Sequence, residues 1–170
     1  MIRLRAPLSK QTIMSLKAGD QVFISGRLYT ARDQAHARLK DESNPAIDLK
    51  GAIIYYVGPT PEKPGHIIGS SGPTSSYRMD ELAVPLMEKG VLAMIGKGER
   101  SDAFIKAMQK HQAVYLIATG GAGALLASKI TSSRVVMYED LDAEAIRALD
   151  VIDFPCYVAY DVHGGNLFKR

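Results

Sequence analysis

Apolar residues recur in two rhythms along this chain, one with the period of strands and one with the period of helices. QVFISGRLYT (21–30) reads as a strand running into a turn at its glycine, and ARDQAHARLKDE (31–42) follows with helix formers and polar residues, so a strand-to-helix junction is predicted there. AIDLKGAIIYYVG (46–58) is β-branched and aromatic and predicts another strand. It enters GPTPEKPGHIIGSSGP (58–73), where proline and glycine are too dense for a regular helix and a long shaped loop is expected. Beyond it the pattern alternates: strand in VLAMIGKG (91–98), helix in SDAFIKAMQKHQ (101–112), strand in AVYLIAT (113–119), helix in GGAGALLASK (120–129), strand in SRVVMYE (133–139), helix in AEAIRAL (143–149), strand in CYVAYDV (156–162). Such alternation predicts an α/β fold with a sheet flanked by helices. The first half mixes strands with a long loop, so the sheet is expected to be mixed rather than purely parallel. In the 101–112 helix, Phe104, Ile105 and Met108 share the core-facing side, with Ser101 or Asp102 available to cap its first turn. There is no internal repeat; the two GPT triplets at 58–60 and 72–74 share no flanking pattern.

Length and charge narrow the class. The 170 residues suffice for one domain, taken as 1–170, with a core that needs no disulfide. The 21 basic and 18 acidic residues leave a net charge of +3 and are scattered, without the Lys/Arg clusters that nucleic-acid or membrane surfaces need. The start, MIRLRAPLSKQTIMSLKAGD, alternates charged and apolar residues and lacks the apolar run of a signal peptide, so a cytoplasmic location is expected. AVYLIATGGAGALLA is too short and too glycine-rich to span a bilayer. The single cysteine, Cys156, lies in a strand-like run and is expected in the core. Alone it cannot hold an iron-sulfur cluster or a structural zinc.

Four stretches carry candidate chemistry. SSGPTSSYRMD (70–80) packs hydroxyls, Arg78 and Asp80 behind a Gly-Pro turn. Ser75 or Ser76 capping a helix, with Asp80 in its first turn, would explain part of it, while Thr74 and Arg78 fit an anion site on a loop. RLYTARDQAHARL (27–39) sets Arg32, Asp33 and His36 after a strand, with Arg32 and His36 one helical turn apart; a solvated helix start with a surface ion pair is the plain alternative. MIGKGERSD (94–102) places Lys97 between two glycines just after an apolar strand, the end of a strand where α/β sheets bind ligands, or else a surface lysine in a tight turn. TGGAGALLA (119–127) opens a helix with glycines, but Leu126 stands where a dinucleotide fingerprint needs a third small residue. A tightly packed helix start, or one donating amides to an anion, fits better.

Taken together, ARDQAH, GPTSSYRMD, KGERS and GGAGALLA resemble, in that order, the β-subunit or C-terminal domain of the class I, iron-sulfur fumarate hydratases and the related L(+)-tartrate dehydratases, from about residue 8 to 165. The resemblance implies a swivelling β/β/α domain that closes over a 4Fe-4S cluster held by cysteines of a separate α-subunit or N-terminal domain. The cluster would then belong to a partner in a hetero-oligomer, with no metal ligand on this chain. It also implies roles: Arg32, Arg78 and Lys97 as binders of a dicarboxylate substrate and Thr74 as catalytic base, with His36, Ser75 and Asp80 as secondary candidates. The usual GPTTxGRMD carries Ser75 for the second threonine and Tyr77 for the glycine, and the usual KGNR carries Glu99 for asparagine.

The implied activity is reversible hydration of fumarate to L-malate, which would belong to the tricarboxylic acid cycle. Dehydration of tartrate to oxaloacetate uses the same parts. A third expectation, of a different class, is a non-catalytic scaffold for a cluster-bearing partner.

Overall fold

The computed structural model describes residues 1–118 and 123–169. Its strands are β1 (Ile2–Arg5), β2 (Gln21–Thr30), β3 (Ile53–Tyr55), β4 (Ala93–Gly96), β5 (Val114–Ile117), β6 (Ile130–Met137) and β7 (Ile146–Tyr160). The helices are α1 (Lys10–Ser15), α2 (Asp33–Leu39), α3 (Asp80–Glu88), α4 (Asp102–Lys110) and α5 (Gly123–Ala127), with short 3₁₀ segments at Tyr77–Met79 and Glu139–Glu144.

The strands form one mixed sheet in the order β1-β2-β3-β4-β5-β7-β6. Strands β1 to β5 pair in parallel, whereas β7 runs antiparallel to β2, β5 and β6. Because β7 pairs with both β5 and β2, the strands β2, β3, β4, β5 and β7 close into a small barrel-like ring. Its interior and its helix-covered outside are two separate cores, and the two-residue period of the strands divides side chains between them. Ile53, Tyr55 and Val57 join Ile24, Leu28, Ile95, Leu116, Phe154 and Val158 inside. Ile54 and Tyr56 face the other way and pack with Met94, Tyr115 and the buried faces of α2, α3 and α4.

Helix α4 follows its sequence. Ser101 accepts the Phe104 amide at 3.1 Å as N-cap, Phe104 and Met108 are buried, and Ile105 packs at the margin. Cys156 is buried in β7, where burial alone pushes its thiol pKa up. Among the described residues no helix is long and apolar enough to cross a membrane.

Two sequence expectations are corrected. Gly26 ends nothing: the register with β7 shifts between Ile24 and Gly26, a bulge, and β2 continues to Thr30. AEAIRAL is not a helix. Ala143 and Glu144 end the 3₁₀ segment, Ala145 follows it, and Ile146–Leu149 begin the 15-residue β7. Alanine, arginine and leucine favour a helix only weakly, and pairing with β2 on one edge and β6 on the other overrides them.

Candidate functional site

Strands β2, β3 and β4 are parallel neighbours, so their carboxyl ends lie along one edge of the ring. In open α/β sheets this is the edge where ligands bind. Arg32 lies two residues beyond β2, as the N-cap residue of α2. Its side chain lies against the chain following β3, since a Cβ at Gly58 would stand 3.1 Å from Arg32 Nη1. Its Nε is buried without a partner. Thr74 is fastened to the end of β3, where both its amide (2.9 Å) and its hydroxyl (3.2 Å) donate to the Tyr56 carbonyl. Lys97 follows β4 directly and is exposed, and an isolated parallel bridge joins it to Ser75, also exposed. Arg78, in the 3₁₀ turn, reaches Asp33 at the start of α2, Nη2 to Oδ1 at 3.5 Å. The strand ends thus gather Arg32, Thr74, Arg78 and Lys97 from three separate stretches of sequence along one rim.

The loops bearing these residues are held from beneath. Ser76 is fully buried and its Oγ accepts the Lys97 amide at 3.0 Å. Gly96 makes this approach possible, because a Cβ there would lie 1.8 Å from Ser76 Oγ. Asp80 receives the Arg100 guanidinium and the Ser101 amide. Arg100 is buried with its guanidinium 3.6 Å above the Phe104 ring and its amide on the Tyr160 hydroxyl. Burial opposes the Arg100 charge, but Tyr56 and Asp80 more than offset this and its pKa rises above the usual guanidinium value. Helix α2 is pinned from its outer side: Gln34 donates twice to Glu144, and Arg38 grips Asp140 with two bonds of 2.8 and 2.6 Å.

Three expectations change here. Neither Ser75 nor Ser76 caps a helix by its side chain, since Ser75 is exposed at the bridge and Ser76 is committed to Lys97. Asp80 does lie in the first turn of α3, but its carboxylate is taken up by Arg100 and Ser101 rather than turned toward the rim. His36 lies in the layer behind the rim, fully buried against Tyr56 with ring centroids 5.5 Å apart. Its Nδ1 is 2.7 Å from the Arg32 carbonyl, which can only accept, so Nδ1 carries the proton and the Nε2 lone pair is left without a partner. Burial lowers its pKa to about 4, against the pull of the Arg32 carbonyl. Of the glycine run, residues 119–122 lie outside the described residues. Gly123 opens α5 and packs on the 70–72 loop, its carbonyl accepting the Ser71 amide at 3.2 Å.

The pattern of hydrophobic residues gave no sign of the bond between buried Ser76 and the Lys97 amide, of Tyr115 behind it, or of the burial of Arg100. Tyr115 reads as one more apolar strand residue, and only the glycine before Lys97 hints at a close approach. The donor set for a metal is poor: among the described residues no three His, Cys, Asp or Glu side chains converge as a site, and the one thiol is sealed in β7.

The family model described as the fumarase C-terminus matches residues 1–170. The chain is 38% identical over 174 residues to a putative class I fumarate hydratase of Geobacillus stearothermophilus, covering 99% of this chain and 34% of that protein. It is 33% identical over 177 residues to the aerobic class I fumarate hydratase of Salmonella typhimurium, covering 99% and 30%. With a putative L(+)-tartrate dehydratase subunit beta of Methanocaldococcus jannaschii the identity is 35% over 173 residues, covering 96% and 89%. The chain therefore spans about a third of the two fumarate hydratases and nearly the whole of the tartrate dehydratase subunit. With the full chain matched, this protein belongs to the fumarase C-terminus family.

Proposed function

We propose that this chain is the β-type half of a 4Fe-4S hydro-lyase that interconverts fumarate and L-malate. The observation that supports it best is the gathering of Arg32, Thr74, Arg78 and Lys97 along the carboxyl ends of β2, β3 and β4 in a member of this family. The residues of this chain do not fit a cluster: one buried cysteine and no converging donor set among the described residues leave nothing to ligate it. The cluster would belong to a partner α-subunit or N-terminal domain, and activation of the departing hydroxyl falls to that partner.

The work left to this chain is to bind a dicarboxylate and to manage one proton. In the dehydration direction a C–H bond next to one carboxylate breaks, its electron pair forms the C=C bond, and the C–O bond on the neighbouring carbon breaks. Negative charge gathers on the carboxylate beside the carbon that loses its proton. Arg32 and Arg78 suit that carboxylate by the planar two-point fit of guanidinium, and Lys97 adds a compact charge. Each such cation, fixed before the reaction, contributes about 3 kcal/mol to lowering the barrier in a closed site. Thr74 receives the proton from carbon only as its own passes to an acceptor on the partner, because a free hydroxyl is a weak base. The Thr74 hydroxyl points its proton at the Tyr56 carbonyl, so it has to turn away from that carbonyl to pass the proton to the partner.

Tartrate dehydration to oxaloacetate is the second reading. It is favoured by the relative that this chain matches over almost its whole length, one named as a tartrate dehydratase subunit. Anaerobic co-expression with a cluster-bearing α-subunit, followed by assays on malate, fumarate and both tartrates, decides between them. Turnover of malate and fumarate supports the first reading and turnover of one tartrate the second. No turnover of any of the four leaves a scaffold.

A further inference from the structure

The turn that carries Lys97 is closed by a chain of hydrogen bonds in which every proton has one place. Ser76 Oγ lies 3.0 Å from the Lys97 amide nitrogen and 2.8 Å from the Tyr115 hydroxyl. That hydroxyl is also 2.8 Å from the Gly98 carbonyl. A phenol has one proton and a carbonyl can only accept, so Tyr115 donates to Gly98 and takes the proton of Ser76. Ser76 in turn accepts from the Lys97 amide. A second strap runs beside it, the Ser76 amide donating to the Lys97 carbonyl at 3.1 Å. Gly98, at φ +83°, turns the chain so that both ends of the turn meet the same pair of hydroxyls. The Tyr115 ring is fixed independently of its hydroxyl, edge-on to Phe104 at 6.1 Å, tilted on Tyr160 at 5.3 Å and beneath the Arg100 guanidinium at 4.9 Å.

We propose that Tyr115 and Ser76 are positioning residues of the hydro-lyase site, holding the Lys97 backbone at the point from which its ammonium reaches a substrate carboxylate. The proposal rests on the reading of Lys97 as a carboxylate binder. A lysine is a point charge on a flexible four-carbon stem, so its aim is set by where its backbone is anchored. Exposed Lys97 has no ion pair among the described residues, and the anchor is the backbone clamp beneath it. Neither Tyr115 nor Ser76 touches the substrate in this scheme; they act through Lys97.

A double-mutant cycle on the assembled complex tests it. Tyr115→Phe removes one hydroxyl and keeps the ring. It is expected to lower kcat/KM for malate about tenfold, the size of one lost hydrogen bond. In a Lys97→Met background the same change is expected to alter kcat/KM by less than about twofold, because residues acting as one unit are not additive. Hydrogen exchange on the full chain gives a readout independent of activity. Tyr115→Phe and Ser76→Ala are each expected to speed exchange of the Lys97 amide about tenfold while the β5 amides keep their rates. Equal losses in both backgrounds, or an unchanged Lys97 amide in both variants, overturn the positioning role and leave the functional reading intact. Full activity in Lys97→Met overturns the reading of Lys97 itself, and the catalytic part of the proposal with it.

Discussion

The carboxylate of Asp33 stands 3.5 Å from the guanidinium of Arg78, tying the start of α2 to the 3₁₀ turn that carries the rim arginine. The two side chains are 37% and 41% exposed, so the pair adds little to stability. Its effect is to orient Arg78. Asp33→Asn is therefore expected to leave the thermal midpoint of the assembled enzyme within about 2 °C and to raise KM for the dicarboxylate about fivefold, the scale of an exposed pair. Steady-state kinetics with a melting curve checks both.

Asp80 is a different case. Its partner Arg100 has a side chain with no exposed surface. Replacing Asp80 with alanine leaves a buried cation uncompensated, which costs about 3–5 kcal/mol. Denaturant unfolding of Asp80→Ala should show that loss, whereas Arg100→Met with Asp80→Leu, which removes both charges, should recover most of it.

Acid should weaken the fold through His36. Its pKa falls to about 4 in the folded chain from an ordinary value near 6.5. Between these values the unfolded chain binds a proton that the folded chain refuses, so stability is whole above pH 6.5 and declines as pH falls toward 4. The slope approaches about 1.4 kcal/mol per pH unit. Urea unfolding between pH 7 and pH 5 measures it, and His36→Gln should flatten the slope across that window.

The sequence showed those features that depend on local chemistry. Helix α4 announces itself by Ser101 and by Phe104 and Met108 one turn apart. The loop at 58–73 follows from its prolines and glycines. The stretches that carry Arg32, Thr74 and Lys97 were readable as separate motifs, though no pattern of neighbours could say that the three share a rim. What depends on distant partners was hidden. Ile146–Leu149 have helical composition and become strand because β2 and β6 flank them. Ser76 has the look of a helix cap and is instead consumed by Lys97, twenty-one residues away. His36 shares a helical face with Arg32, yet the helix turns its ring into the layer beneath, onto Tyr56.

Arg78→Lys keeps the positive charge and loses the planar fork. If Arg78 grips a substrate carboxylate, kcat/KM of the assembled complex should fall about a hundredfold with the fold intact. A solvated Arg78 would leave both stability and rate nearly unchanged.

The most direct measurement of the central claim is kcat for malate dehydration by the complex reconstituted anaerobically with a cluster-bearing α-subunit, comparing the native chain with Thr74→Ala. A proton-transfer group acts mainly in the transition state, so kcat should drop at least about a hundredfold while KM stays within about threefold. A Thr74→Ala complex that keeps half or more of the native kcat would contradict a proton-handling role for the rim of this chain.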